Sequence, residues 1–162
     1  MTELIVRYVK IGIAFAIFWA ALIFWTSCSY KEIKGKEMAP GLVPGKNYWI
    51  LIKDRTPDKL ALEDIVAFEY FLPGSGTDKE TVRAGRIHGL PGQRVKMVKG
   101  DLFVNGRKAA TALGKGDESF EEIIVPRDSF FILMDNRDVG PTMDSRAMGP
   151  LGAGAVLGKV KR

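Results

Sequence analysis

The sequence is poor in the residues that build metal centres and covalent crosslinks. Cys28 is the only cysteine and His88 the only histidine among 162 residues. A single cysteine excludes an intrachain disulfide and a cysteine-clustered zinc site, and one histidine makes no metal site by itself. No cofactor is called for. The chain also lacks any dense Lys/Arg block interleaved with aromatics, so the net charge of +5 does not point to nucleic acid. A basic balance suits an anionic membrane surface equally well. Internal repeats and low-complexity tracts are absent as well. With 46% apolar and 27% charged residues, the composition is globular rather than disordered.

What is present first is an uncharged run from Ile11 to Tyr30, apolar throughout as far as Trp25 apart from Gly12. A helix of this length spans about 30 Å, the thickness of a bilayer core. Trp19, Phe24, Trp25 and Tyr30 lie along it, the last three near one end, as in an interfacial belt. Arg7 and Lys10 precede it and Lys31, Lys34 and Lys36 follow, so the positive charges do not orient it. No A-x-A-like cleavage site follows. Trp25 stands where a lipoprotein signal ending at Cys28 would carry a small aliphatic residue. Residues 1–30 are therefore expected to form an uncleaved, single-pass anchor.

Beyond residue 30 the pattern changes to short runs rich in Val, Ile, Phe and Tyr, bounded by Gly and Pro. Strands are expected at 47–53, 64–71, 81–88, 94–98, 101–104, 122–125, 129–134 and 155–161. The stretch "VKGDLFVNG" (98–106) reads as a tight hairpin, with turns at Lys99-Gly100-Asp101 and at Asn105-Gly106. Residues 71–80 and 106–119 read as surface loops or part of a small cap, and 93–125 as a reduced cap subregion within a β domain over 31–162. No long helix is expected after the anchor. The fold class is mainly β, antiparallel, as a partly closed barrel or stacked sheets.

Four segments, in order, carry a specific resemblance. They are Gly35-Lys36-Glu37-Met38-Ala39-Pro40-Gly41-Leu42 with Pro44-Gly45 behind, and Leu62-Glu63-Asp64-Ile65-Val66-Ala67-Phe68. Then come Gly85-Arg86-Ile87-His88-Gly89-Leu90-Pro91-Gly92, and Asp135-Asn136-Arg137-Asp138 followed by Asp144-Ser145-Arg146 and Gly149. Together they resemble the boxes of the type I signal peptidases: G-x-S-M-x-P-T-L, G-D-I-V-x-F, K-R-V-I-G-L-P-G-D and G-D-N-R-D-N-S-x-D-S-R. The resemblance covers nearly the whole chain. It implies a signal-peptidase-like β domain with a small cap, held on the outer (periplasmic) side of the cytoplasmic membrane. It also implies a serine endopeptidase that removes signal peptides, with a serine at position 37 and a lysine base at position 85. A serine hydroxyl needs such a base, and a lysine serves only when burial depresses its pKa.

This sequence has neither reagent. Glu37 stands in the serine position and Gly85 in the lysine position. Loss of a catalytic pair costs roughly 10⁶-fold in rate, because its members act as a unit. Gly41 replaces the threonine after Pro40, Met134 replaces the glycine before Asp135, and the link from Arg137 to Asp144 is longer than the pattern. No catalytic residue is therefore assigned. The binding-cleft candidates are Gly35, Met38, Pro40, Arg83, Arg86, Met134, Asp135, Asp144, Ser145 and Arg146. Arg83 is expected to reach over the space beside Gly85 and pair with Glu37, since residues 83 and 85 share a strand face; the other expectation is a solvated Arg83.

Several rival chemistries remain open at this level. Glu37 with Asp135 or Asp144 resembles a paired-carboxylate arrangement, against the simpler expectation that these aspartates hold turns and pair with Arg137 or Arg146. Ser75 and Ser145 are hydroxyls without an identifiable base. His88 points away from position 85. "YWILI" (48–52) and "FFILM" (130–134) are expected either to flank a cleft at the lipid surface or to be core strands. Three functions compete: a non-cleaving protein that binds or presents secreted or pilin-type peptides, an endopeptidase with atypical or partner-supplied chemistry, and a structural membrane protein with a closed cleft. The partners expected are a secreted or membrane-inserted client, the lipid bilayer, and components of a secretion, pilus or conjugation assembly.

Overall fold

The computed structural model describes residues 2–70, 81–109, 117–137 and 144–161. A long helix, α1 (Thr2–Ser27), leads into β1 (Cys28–Ile33), β2 (Lys46–Leu51), β3 (Ile65–Tyr70) and β4 (Thr81–Gly89). Strands β5 (Arg94–Val98), β6 (Asp101–Val104), β7 (Arg107–Lys108), β8 (Phe120–Ile124) and β9 (Ser129–Leu133) follow. A one-turn helix α2 (Ser145–Met148), β10 (Leu151–Gly152) and β11 (Val156–Lys161) close the chain. The expected loop at 71–80, with Ser75, and the core of the 106–119 loop lie outside the described residues.

Helix α1 is long and apolar enough to cross a membrane, with mean hydropathy 1.9, and its apolar span is not buried. Apolar surface left in water costs about 25 cal/mol per Å², so an uncovered helix of this kind fits a membrane anchor. It ends earlier than expected. Cys28, Ser29 and Tyr30 belong to β1, where they pair with Leu51, Ile50 and Trp49. Tyr30 and Trp49 meet as tilted rings with centroids 4.9 Å apart, and Trp49 meets Phe24 of α1 at 5.6 Å, which fastens the helix end to the sheet.

Every strand pairing is antiparallel. One sheet runs in the order β1-β2-β11-β3-β4-β9-β10, the other β7-β6-β5-β8. Local chemistry explains the smaller sheet. Val98 pairs with Asp101 and Val104 with Arg107, leaving two-residue turns at Lys99-Gly100 and Asn105-Gly106. All four turn residues have positive φ, the requirement of the type I′ turn that matches strand twist. Asp101 thus opens β6 rather than completing the turn.

Strand β9 joins the two cores. Phe130, Ile132 and Met134 enter the cluster built around Ile33, Ile50, Val66 and Phe68. Phe131 and Leu133 enter the one built around Val95, Met97 and Leu102. Because alternate side chains point to opposite faces, a strand buried on both faces reads as an unbroken apolar run. "FFILM" is therefore core and forms no lipid-facing flank. In "YWILI", Ile50 is core while Trp49 is exposed. Strands β1, β7 and β10 were not anticipated. β1 is an edge strand carrying Lys31 and Glu32, a composition that blunts edges and masks the strand signal.

Candidate functional site

The first box is the connection between β1 and β2. Ile33 and Lys46 are in register, so residues 34–45 form the tip of a hairpin folded back over the main core. Met38 and Leu42 are buried there, and a Leu42 N–H to Met38 carbonyl bond of 2.8 Å gives the segment one helical turn. Asn136 N–H donates to the Glu37 carbonyl at 2.7 Å, and Asp135 N–H to Met38 Sδ at 3.4 Å. The first and fourth boxes are thus tied together through the backbone of Glu37 and the side chain of Met38. Pro40 lies exposed on the far side of this turn.

The Glu37 side chain is nearly buried and pairs with Arg83 of β4, Nη1 to Oε1. The expected ion pair is present. Its carboxylate lies folded against Gly35, where any Cβ would overlap it. Arg83 spends one N–H on this partner, while its Nε is buried without a hydrogen-bond partner.

Gly85 corrects a second expectation. It leaves no space for Arg83 to cross. A Cβ at this position would overlap Ile132 Cγ2 and lie 3.4 Å from both Phe68 Cε1 and the Leu133 carbonyl. The place of even a Cβ is already taken, chiefly by Ile132 of β9. A glycine inside a strand pattern signals such close approach. No local sequence signal points to its filler, Ile132, because nothing local says which strand lies beside β4.

The remaining candidates sort into two groups. Arg86 grips Asp135 with two bonds, Nε to Oδ1 at 2.7 Å and Nη2 to Oδ2 at 2.6 Å, and donates through Nη1 to the Glu63 carbonyl at 2.9 Å. The hydrogen bond to Asp135 raises the Arg86 pKa further. Asp135 therefore pairs with Arg86, not with Arg137 or Arg146. Asp144 and Ser145 instead serve the backbone of β9: Met134 N–H donates to Asp144 Oδ2 at 3.2 Å and Ile132 N–H to Ser145 Oγ at 2.9 Å. Asp144 also caps α2 and holds the Arg146 guanidinium, which reaches Glu118 at 2.9 Å. Glu37, Asp135 and Asp144 each have an arginine of their own, an arrangement for ion pairs and not for two carboxyls sharing one proton. Ser145, buried and accepting a backbone N–H, is built as a brace. Gly35, Met38, Arg83 and the Asp135-Asn136 backbone are what the fold assembles around Glu37. Met134 is core, and Asp144, Ser145 and Arg146 brace β9.

His88 sits on the opposite face from Gly85, buried, at the wall of a cavity of about 580 Å³ also lined by Leu62, Glu63, Gln93 and Asn105. Its Nδ1 is 3.5 Å from Glu63 Oε1, and neither ring nitrogen has a hydrogen-bond partner. Burial, then the charges of Arg137 and Arg86, lower its pKa from 6.5 to about 4. The unfolded chain therefore binds the proton first. Stability from neutral His88 is complete above pH 6.5 and is lost as pH falls to about 4, a difference of about 3 kcal/mol. Glu63, whose pKa burial raises, acts in the opposite sense, weakened by its solvent exposure. Thermal melts from pH 7.5 to 4.5 should drop more steeply for wild type than for His88→Gln; parallel curves would contradict the assignment.

An apolar helix that fits a membrane anchor, a two-sheet antiparallel β domain, and a hairpin tip meeting a central strand over a buried side-chain pair define the class of protein by its fold. The chain belongs to the signal peptidase family, peptidase S26, whose family model matches residues 5–162. It is 30% identical to signal peptidase I P of Bacillus subtilis subsp. natto over 70% of this chain and 63% of that protein. It is 26% identical to signal peptidase IB of Staphylococcus aureus over 98% of this chain and 87% of the relative. The chain thus spans just under two thirds of the length of the Bacillus relative. A crystal structure of a signal peptidase I from Enterococcus faecalis aligns with TM-score 0.48 and 24% identity, covering 64% of this chain and 97% of the other.

Proposed function

We propose that this protein is a membrane-anchored member of the signal peptidase family that binds extended secretory peptides, pilin-type clients among them, without cleaving them. One observation carries the reading. Strand β4 pairs with β3 from Thr81 to Arg86, but among the described residues β9 pairs only with Arg86, Ile87 and Gly89. Val82–Ala84 are thus paired on the β3 side alone in these ladders, beside the Glu37–Arg83 pair. A strand segment paired on one side supports binding of a peptide by strand addition. Glutamate and glycine at the dyad positions provide no alcohol and no amine there. The β domain stands on the outer side of the cytoplasmic membrane in this reading, where secretory chains emerge.

The test uses the full chain in detergent with a signal-peptide-bearing precursor. No cleavage is expected from wild type or from Glu37→Ala, while a photo-crosslinker at Val82 captures the precursor saturably. Cleavage by wild type that Glu37→Ala abolishes would instead establish an acid-based protease and end the proposal.

A further inference from the structure

The Glu37–Arg83 pair is lopsided. A guanidinium offers paired N–H groups that match both oxygens of a carboxylate. Glu37 takes only Nη1, and Arg83 Nε is buried with no partner. Glu37 achieves even this contact by folding its carboxylate back against Gly35, in space that any other residue's Cβ would claim. Its backbone is held by Asn136 and its neighbour Met38 is sunk in the core, so the carboxylate is delivered to Arg83 from a fixed point on the main chain. The cation is thus occupied, incompletely, by a tethered carboxylate beside the segment of β4 that β9 leaves unpaired.

We propose that Arg83 is a carboxylate-binding residue for the client, and that Glu37 is an internal stand-in which the client's carboxylate displaces. Resting on the peptide-binding reading above, this names the ligand class: peptides presenting a carboxylate at the end of their paired segment, as a C-terminus does. A free carboxylate can approach Arg83 with both oxygens and satisfy the donor that Glu37 leaves unused. Displaced, Glu37 swings out from Gly35 toward solvent. The pair therefore sets a threshold: a peptide ending in an uncharged group meets a closed, self-neutralised site.

The experiment compares two fluorescent peptides, identical except for a C-terminal carboxylate or carboxamide, on the full chain in detergent. Wild type should bind the carboxylate form about tenfold more tightly, the scale of one charge-assisted hydrogen bond. Glu37→Gln, which removes the competitor's charge, should widen that preference by about tenfold more. Gly35→Ala, which forces the Glu37 carboxylate out of its place, should widen it in the same direction. Arg83→Gln should abolish it. Acetate at millimolar concentration should compete with the carboxylate peptide in Glu37→Gln if any carboxylate suffices; failure of acetate with retained preference assigns the site to peptide termini. Equal binding of both peptides by wild type and by Glu37→Gln would overturn this inference while leaving peptide binding intact. Binding of neither peptide would overturn both.

Discussion

Gly85→Lys is expected to unfold the β domain or lower its melting temperature by roughly 10 °C or more, even though it restores the residue that the family pattern places there. The Cβ alone would overlap Ile132 Cγ2, and Phe68 and the Leu133 carbonyl stand at contact distance. Ile132 and Phe68 are fully buried and pinned within the main core. Forcing atoms into such packing costs about 1–3 kcal/mol. Burying an ammonium in the same core adds several kcal/mol more, roughly, unless it gains a carboxylate or deprotonates. Glu37→Ser with Gly85→Lys should accordingly yield an unstable protein rather than a peptidase. Adding Ile132→Ala removes the overlapping methyl group and should recover much of the loss. Thermal unfolding in detergent separates these variants, with Gly85→Ala as the smallest probe. A Gly85→Lys protein melting like wild type would show that position 85 is open after all.

Asp144→Ala should cost about 3–5 kcal/mol, because it breaks a buried pair and leaves the surviving charge uncompensated. Asp144 is fully buried and Arg146 nearly so. One carboxylate here serves the Met134 N–H, the Arg146 N–H and the Arg146 guanidinium. Its loss leaves the guanidinium with Glu118 alone, at a partly exposed position. Asp144→Asn keeps an acceptor for the backbone and should lose less. Pairing Asp144→Ala with Arg146→Met should be milder than the single change, because the two residues share one interaction. A melting temperature for Asp144→Ala within about 2 °C of wild type would refute this account of how β9 is held. These residues also mark a division of labour. The Asp144-Ser145-Arg146 part of the fourth box supports β9, whereas the Asp135-Asn136 part reaches Met38 and Glu37.

Much of this architecture was legible in the chain because it depends on local patterns. An uncharged apolar run is long enough for a membrane whatever follows it. Strands β2 to β6, β8, β9 and β11 announce themselves through β-branched and aromatic runs between turn residues, and two glycines at positive φ set the hairpins. The chemistry missing from positions 37 and 85 is likewise a matter of residue identity. The pairing of Glu37 with Arg83 was within reach because a strand's two-residue period relates 83 to 85.

What the chain alone did not disclose depends on which strands become neighbours and in what register. That β9 lies against β4, so that Ile132 occupies the space a Cβ at position 85 would need, is a property of sheet order, and no local pattern encodes it. The same register hands Asp135 to Arg86, turns Ser145 into a support for Ile132, and buries "FFILM" on both faces. The end of α1 depends on the same thing: Cys28 to Tyr30 are a strand only because β2 is there to pair with them. Residue type decided which groups this site holds, whereas long-range pairing decided which of them touch, since contacts distant in sequence form only once the sheets have closed.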